Sequence, residues 1–221
     1  MLDWLGELLF PSRCVGCQRR GVLLCVQCRR ELPYLRQVCQ RCALPRGMSR
    51  DCRGCRRLSP TLVSLHAVCA YGGAARSAVH ALKFRGGRNL APLLGELLRD
   101  HIAVQPLVAD LVVPVPISAQ RRRARGYNQA ELLALQIAPA LGAPVDADLL
   151  VRQDRPAQQT LGAAERLVNL QGALQARRHA HGRVLLVDDV ATTGATLSAC
   201  ADVLASAGAR DIRALVFARD L

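Results

Sequence analysis

The chain has 221 residues, 51% of them apolar, and a formal net charge of +13. That is ample apolar material for one mid-sized core with a small module beside it, while the lack of any run of about 18 uninterrupted apolar residues excludes a helical membrane span. The charge favours an acidic partner such as phosphate, nucleotide or nucleic acid, and does not by itself establish one.

In chain order, the opening MLDWLGELLF carries Asp3 and Glu7 and lacks a basic leader. It therefore reads as a short amphipathic docking helix rather than a secretory signal, and the expected location is cytoplasmic. Up to Pro60, 12 arginines face four acidic residues, which puts +8 of the charge in the first quarter. That quarter also holds eight of the ten cysteines, as the CxxC pairs Cys14/Cys17, Cys25/Cys28, Cys39/Cys42 and Cys52/Cys55. Two thiolates at this spacing turn onto one metal through a tight knuckle, and two pairs complete a closed tetrahedral site. Eight ligands predict two zinc ions, structural because no coordination position stays open; iron–sulfur or redox use is the minor alternative. A disulfide framework does not suit a chain of this location. Two pairings remain open. A sequential one joins Cys14/Cys17 to Cys25/Cys28 and Cys39/Cys42 to Cys52/Cys55, whereas a cross-brace joins the first pair to the third and the second to the fourth. Shorter loops favour the sequential form. Either way, the metals stand in for a core that residues 1–60 are too few to build. Cys69 and Cys200, set among apolar neighbours, read as small buried thiols.

From residue 61 to 221 the composition turns to Ala, Leu and Val, and two apolar periodicities alternate. Strands are expected at Leu62–Tyr71, Asp110–Val115, Arg183–Val187 and Ile212–Ala218. Helices are expected at Ala75–Phe84, Leu90–Val104, Asn128–Leu141, Ala163–Arg177 and Ala195–Ala207, the last closing at Gly208. Nearly continuous apolar strands separated by helices predict an α/β fold, a mostly parallel sheet covered on both faces, with ligands at the carboxyl ends of the strands.

At such an end stands GRVLLVDDVATTGATLSAC, residues 182–200. Asp188 and Asp189, emerging where the strand stops, suit a diol such as the two ribose hydroxyls. The loop that follows offers backbone N–H groups, the hydroxyls of Thr192, Thr193 and Thr196, and Gly194 where a side chain would obstruct; with the N-terminus of the next helix it makes a phosphate cradle. A merely structural strand–turn–helix capped by Asp and Thr is the competing interpretation. No GKT or GKS, and no GxGxxG, is present to suggest another nucleotide motif.

This stretch resembles the phosphoribosyl pyrophosphate (PRPP) signature of type I phosphoribosyltransferases. Together with the CxxC pairs, LKFRGG at residues 82–87, VPVPIS at 113–118 and RRRARGYNQA at 121–130, the chain resembles the ComF family of competence-associated proteins over nearly its whole length. The resemblance implies a double zinc ribbon before a type I phosphoribosyltransferase fold, with a role in DNA uptake or the use of imported DNA. It implies that Asp188 and Asp189 are catalytic and bind PRPP with Ala191, Thr192, Thr193, Gly194, Ala195 and Thr196. Pyrophosphate is assigned to Lys83, Pro116, Arg125 and Asn128, on the loop after an earlier strand and its surroundings. Lys83 stands out because it is the sole lysine among 30 basic residues. Gln158, Gln159, Arg166 and Asn169 match a flexible loop that closes over PRPP, where an ordinary connector is nearly as good a reading. Magnesium would accompany PRPP. Implied partners are PRPP or a related phosphoribosyl ligand, single-stranded DNA, and DNA-uptake or recombination proteins.

The likeness leaves the acceptor and the oligomeric state open. Thr192 occupies a position where some purine-salvage relatives carry an acid as general base, which puts base-catalysed nucleobase transfer in doubt. A non-catalytic scaffold or sensor, and a zinc-dependent DNA-binding protein, remain rival readings; few aromatics in the basic module weaken the last.

Overall fold

In the computed structural model the described residues are 12–45, 52–84, 87–153 and 172–221. The N-terminal docking helix and the closing-loop residues Gln158, Gln159, Arg166 and Asn169 lie outside them.

Four strands, β1 (Leu62–Ala70), β2 (Leu111–Pro114), β5 (Arg183–Ala191) and β6 (Asp211–Arg219), form one all-parallel sheet in the order β1-β6-β5-β2. Alternation along the strands feeds two layers. Leu185, Val187, Leu215 and Phe217 enter one, against α4 (Ala91–Val104) and α6 (Gln129–Leu141). Val184, Leu186, Ala214 and Val216 enter the other, against α7 (Ala195–Ser206). A fully buried parallel sheet of this kind requires both layers, which explains why its strands read as unbroken Val and Leu.

The cysteine-rich segment contributes to both layers. Cys14, Leu24, Cys28 and Leu32 pack into the first, and Cys42, Ala43 and Leu58 into the second. Between them the chain runs along the free edge of β1: Leu35 N–H donates to the Val68 carbonyl at 3.1 Å, and Ala70 N–H to the Pro33 carbonyl at 2.8 Å. An exposed edge strand would otherwise offer unpaired backbone groups. The opposite edge, β2, is covered in the same way by the Pro144–Asp146 segment. Short helices α1 (Val26–Arg30) and α2 (Arg53–Arg56) carry the second cysteine pair of each ribbon onward. Cys69 and Cys200 are fully buried.

Three expectations change. β5 continues four residues past Val187, because β6 keeps supplying backbone partners as far as the Ala191–Arg219 pair, so Asp188 and Asp189 lie inside the strand. The end of the helix expected at Ala163–Arg177 is instead strand β4 (Leu174–Ala176), paired antiparallel with β3 (Leu150–Arg152); the rest of that span is outside the described residues. The arginine run, read as loop, forms helix α5 (Ala119–Arg125), started by Ser118, whose hydroxyl accepts from Arg121 N–H, and stopped by left-handed Gly126. The remaining expected helix before α4 is α3 (Gly73–Leu82), two residues earlier than the pattern placed it.

Candidate functional site

The carboxyl end of the sheet gathers three of the sequence-derived pieces. Asp189, on β5, is 2% exposed. Lys83 caps the C-terminus of α3, and its Nζ lies 2.9 Å from Asp189 Oδ2. That oxygen makes no aligned hydrogen bond, so the contact is an ion pair, with Lys83 29% exposed. Asp188 stands next to it and accepts from the Asp189 N–H at 2.8 Å. Burial raises the Asp188 carboxyl well above the ordinary carboxylate range, and the neighbouring Asp189 charge adds to this, opposed by Lys83. Asp188 is thereby suited to holding a proton, and a carboxyl beside a carboxylate can both donate to and accept from a vicinal diol.

The lysine is held from behind. Tyr127 Oη lies 2.7 Å from the Leu82 carbonyl and 2.5 Å from that of Phe84, so its one proton is shared between the residues flanking Lys83. Arg88 stacks 4.8 Å over the Tyr127 ring and donates to the Gly126 carbonyl at 2.6 Å. The sole lysine therefore faces a buried aspartate, to which it offers a compact point charge rather than a planar fork.

Beyond Ala191, Thr192 and Thr193 are exposed, and the Thr193 hydroxyl accepts from Ala195 N–H at 3.2 Å. Gly194 has φ +84°, and Ala195 and Thr196 open α7. The first-turn N–H groups of that 12-residue helix, with the threonine hydroxyls beside them, make an electropositive cup.

Just past β2, Val115 N–H donates to the Val187 carbonyl at 2.9 Å, so the chain leads into Pro116 from beside the residue that precedes the two aspartates. Asn128 is 2% exposed. Its Oδ1 caps Ala130 N–H at 3.1 Å and its Nδ2 donates to the Val115 carbonyl at 2.9 Å, so its hydrogen bonds hold the shape of the loop. Arg125 is half-buried and donates to the Gln129 side chain. Arg122 pairs with Glu131 at 2.8 Å.

The eight cysteines resolve into the sequential tetrads, Cys14/Cys17/Cys25/Cys28 and Cys39/Cys42/Cys52/Cys55, with all sulfurs of each within 4.8 Å of one another. Neighbouring sulfurs approach to 3.6 Å in the first and 3.4 Å in the second, near the roughly 3.8 Å edge of a tetrahedron built on Zn–S bonds of about 2.3 Å. The donor set therefore fits zinc. Within the first tetrad the thiols differ: burial alone would raise Cys14, but N–H groups of Cys17, Cys25 and Gly16 lower it to about 6, whereas burial pushes Cys28 up to about 12; a bound zinc ion would deprotonate its ligands itself.

Sequence reasoning missed Arg219. It is 2% exposed, donates through Nη1 to the Ala191 carbonyl at 2.9 Å and through Nε to the Cys42 carbonyl at 3.3 Å. The arginine closing the apolar run ALVFAR, residues 214–219, was the available signal.

Residues 5–56 match the model of the double zinc ribbon domain, and residues 128–221 that of the phosphoribosyl transferase domain. Over 97% of this chain and the whole of the relative, the chain is 31% identical to the DNA utilization protein YhgH of Salmonella typhi. It is 29% identical to competence protein F of Haemophilus influenzae, over 93% of this chain and 90% of that one. With competence protein ComFC of Bacillus subtilis it shares 28% identity over 84% and 79%. Among solved structures, an orotate phosphoribosyltransferase from Aeropyrum pernix overlays 62% of this chain and 61% of its own at 22% identity and a TM-score of 0.34, too distant to add to the fold read from the strands. Among the described residues no helix is long and apolar enough to cross a membrane.

Proposed function

Because this chain belongs to the ComF family, in which a double zinc ribbon precedes a phosphoribosyltransferase domain, we propose that it binds PRPP at the carboxyl end of its sheet and transfers the phosphoribosyl group in the uptake or use of DNA. One observation carries the reading: a carboxyl pair two to three residues before the end of β5 is followed within a few residues by a threonine-lined left-handed turn into the N-terminus of α7. Asp188 and Asp189 grip the ribose hydroxyls, while residues 192–196 receive the 5′-phosphate through N–H groups and hydroxyls. Pro116 and Arg125 border the space for pyrophosphate, and Asn128 fixes that loop. Magnesium, arriving with PRPP, supplies neutralisation of the diphosphate charge. The chain's own part is positioning and electrostatics: the Asp189 carboxylate would offset positive charge developing on the sugar ring, while Asp188 orients a hydroxyl.

The Lys83–Asp189 ion pair favours a second reading, a sensor that binds PRPP without turnover. Asp189 must loosen that pair before it holds a sugar hydroxyl, and Thr192 offers no general base. Calorimetry with PRPP and magnesium, alongside pyrophosphate release in the presence of nucleobases and oligonucleotides, separates the two. Binding with release supports the transferase, and binding without release supports the sensor. An Asp188→Asn, Asp189→Asn double variant that stays folded and binds PRPP as well as the wild type would sink both.

A further inference from the structure

The segment leaving the second tetrad runs directly onto the phosphate loop. Leu58 is 5% exposed and lies so close to Gly194 that a Cβ there would come within 2.5 Å of Leu58 Cδ2. One residue on, Ser59 N–H donates to Ser198 Oγ at 3.0 Å. The hydroxyls of Ser59 and Thr61 both donate to Asp202 Oδ1, at 2.5 and 2.6 Å. Ser198 sits on the first turn of α7 and Asp202 one turn further on, and the N-terminus of that helix closes the cup.

A second tether reaches the start of the loop. Arg219 joins the Cys42 carbonyl to that of Ala191. Arg41 binds the other knuckle, donating to the Cys55 carbonyl at 2.7 Å and to the Ser59 carbonyl at 3.1 Å. Both knuckles of the second tetrad are thus connected to residues 191–198, one at each end. The first tetrad packs into the opposite layer, where Gly16 lies against Ala74 of α3. A ribbon this small has no core of its own, so removing its metal frees the knuckles and, with them, whatever they hold.

We propose that the second thiolate cluster is the positioning element of the phosphate loop: metal at Cys39, Cys42, Cys52 and Cys55 orders residues 191–198 and sets the affinity for a ribose 5-phosphate ligand. The ligand half of this inference rests on the phosphoribosyl reading, whereas the mechanical half does not. Leu58, Ser59 and Arg219 are positioning residues that act through the loop.

The test uses the full chain, loaded with zinc, and two measurements: hydrogen exchange at the amides of residues 192–198 without ligand, and calorimetric titration with ribose 5-phosphate. Leu58→Ala is expected to keep both metals, to speed exchange at those amides about tenfold and to weaken ribose 5-phosphate by about tenfold; Leu58→Met restores both. Cys52→Ser, which opens the second tetrad, gives the same response, and Cys17→Ser in the first leaves those amides unchanged. If a cysteine variant does not fold, the Leu58 pair decides. Unchanged exchange in Leu58→Ala, or equal responses to Cys17→Ser and Cys52→Ser, overturns the coupling. If Leu58→Ala shows the exchange response but the wild type does not bind ribose 5-phosphate, the coupling is supported and the phosphoribosyl reading of its ligand is overturned.

Discussion

Replacing Lys83 by methionine removes the ammonium 2.9 Å from Asp189 and leaves a carboxylate that is only 2% exposed. Breaking a buried pair by deleting one partner destabilises by about 3–5 kcal/mol, because the remaining charge keeps its desolvation penalty and loses its partner. Lys83 is 29% exposed, so water partly screens the pair and the lower end applies, about 3 kcal/mol. For a chain of this length about 2–4 °C accompanies each kcal/mol, which puts the loss of Tm at about 6–12 °C. The double variant Lys83→Met, Asp189→Asn removes both charges and should recover most of that loss. Urea and thermal unfolding of zinc-loaded wild type, both single variants and the double variant complete the cycle. A Lys83→Met protein within about 0.5 kcal/mol of wild type, or a double variant no more stable than Lys83→Met, would refute the ion-pair account.

His101 is held neutral, its pKa lowered to about 4 by burial and then by His66, which itself faces Arg213 and Gln105. The unfolded chain binds this proton first, so the stabilisation is full above about pH 6.5, falls as pH drops towards 4, and amounts to a loss of about 2 kcal/mol at pH 5. His101→Gln should flatten the stability profile between pH 7 and 5 relative to wild type, and parallel profiles would contradict this. Metal analysis should find two zinc ions per chain, with a high-affinity chelator exposing the Leu24 and Leu32 packing to an environment-sensitive dye; a single tightly held ion would count against the paired tetrads. Asn128→Ala removes a helix cap and a buried donor, and should lower stability by about 1–3 kcal/mol in denaturant titration.

Features that depend on neighbours in the chain were legible in the sequence. A CxxC knuckle is a local turn, and the short separations from Cys17 to Cys25 and from Cys42 to Cys52 favoured the sequential tetrads found here. The four strands of the parallel sheet announced themselves as nearly continuous apolar runs, and most helices by their apolar period. Strands β3 and β4, three residues each, are too short to show a period and exist only because they pair with one another. The continuation of β5 through the two aspartates likewise depends on β6, which lies next to it in the sheet and after it in the chain.

From sequence alone came the paired acids, the Thr-Thr-Gly turn and the thiolate ligands, because backbone geometry and metal preference act over a few residues. Tertiary structure decided what each group faces: Lys83 an aspartate 106 positions away, Leu58 the glycine of the Thr-Thr-Gly turn, and Arg219 two carbonyls at once. Desolvation and ion pairing are set by proximity in space, and no local pattern of residues encodes which distant side chain will fill a pocket.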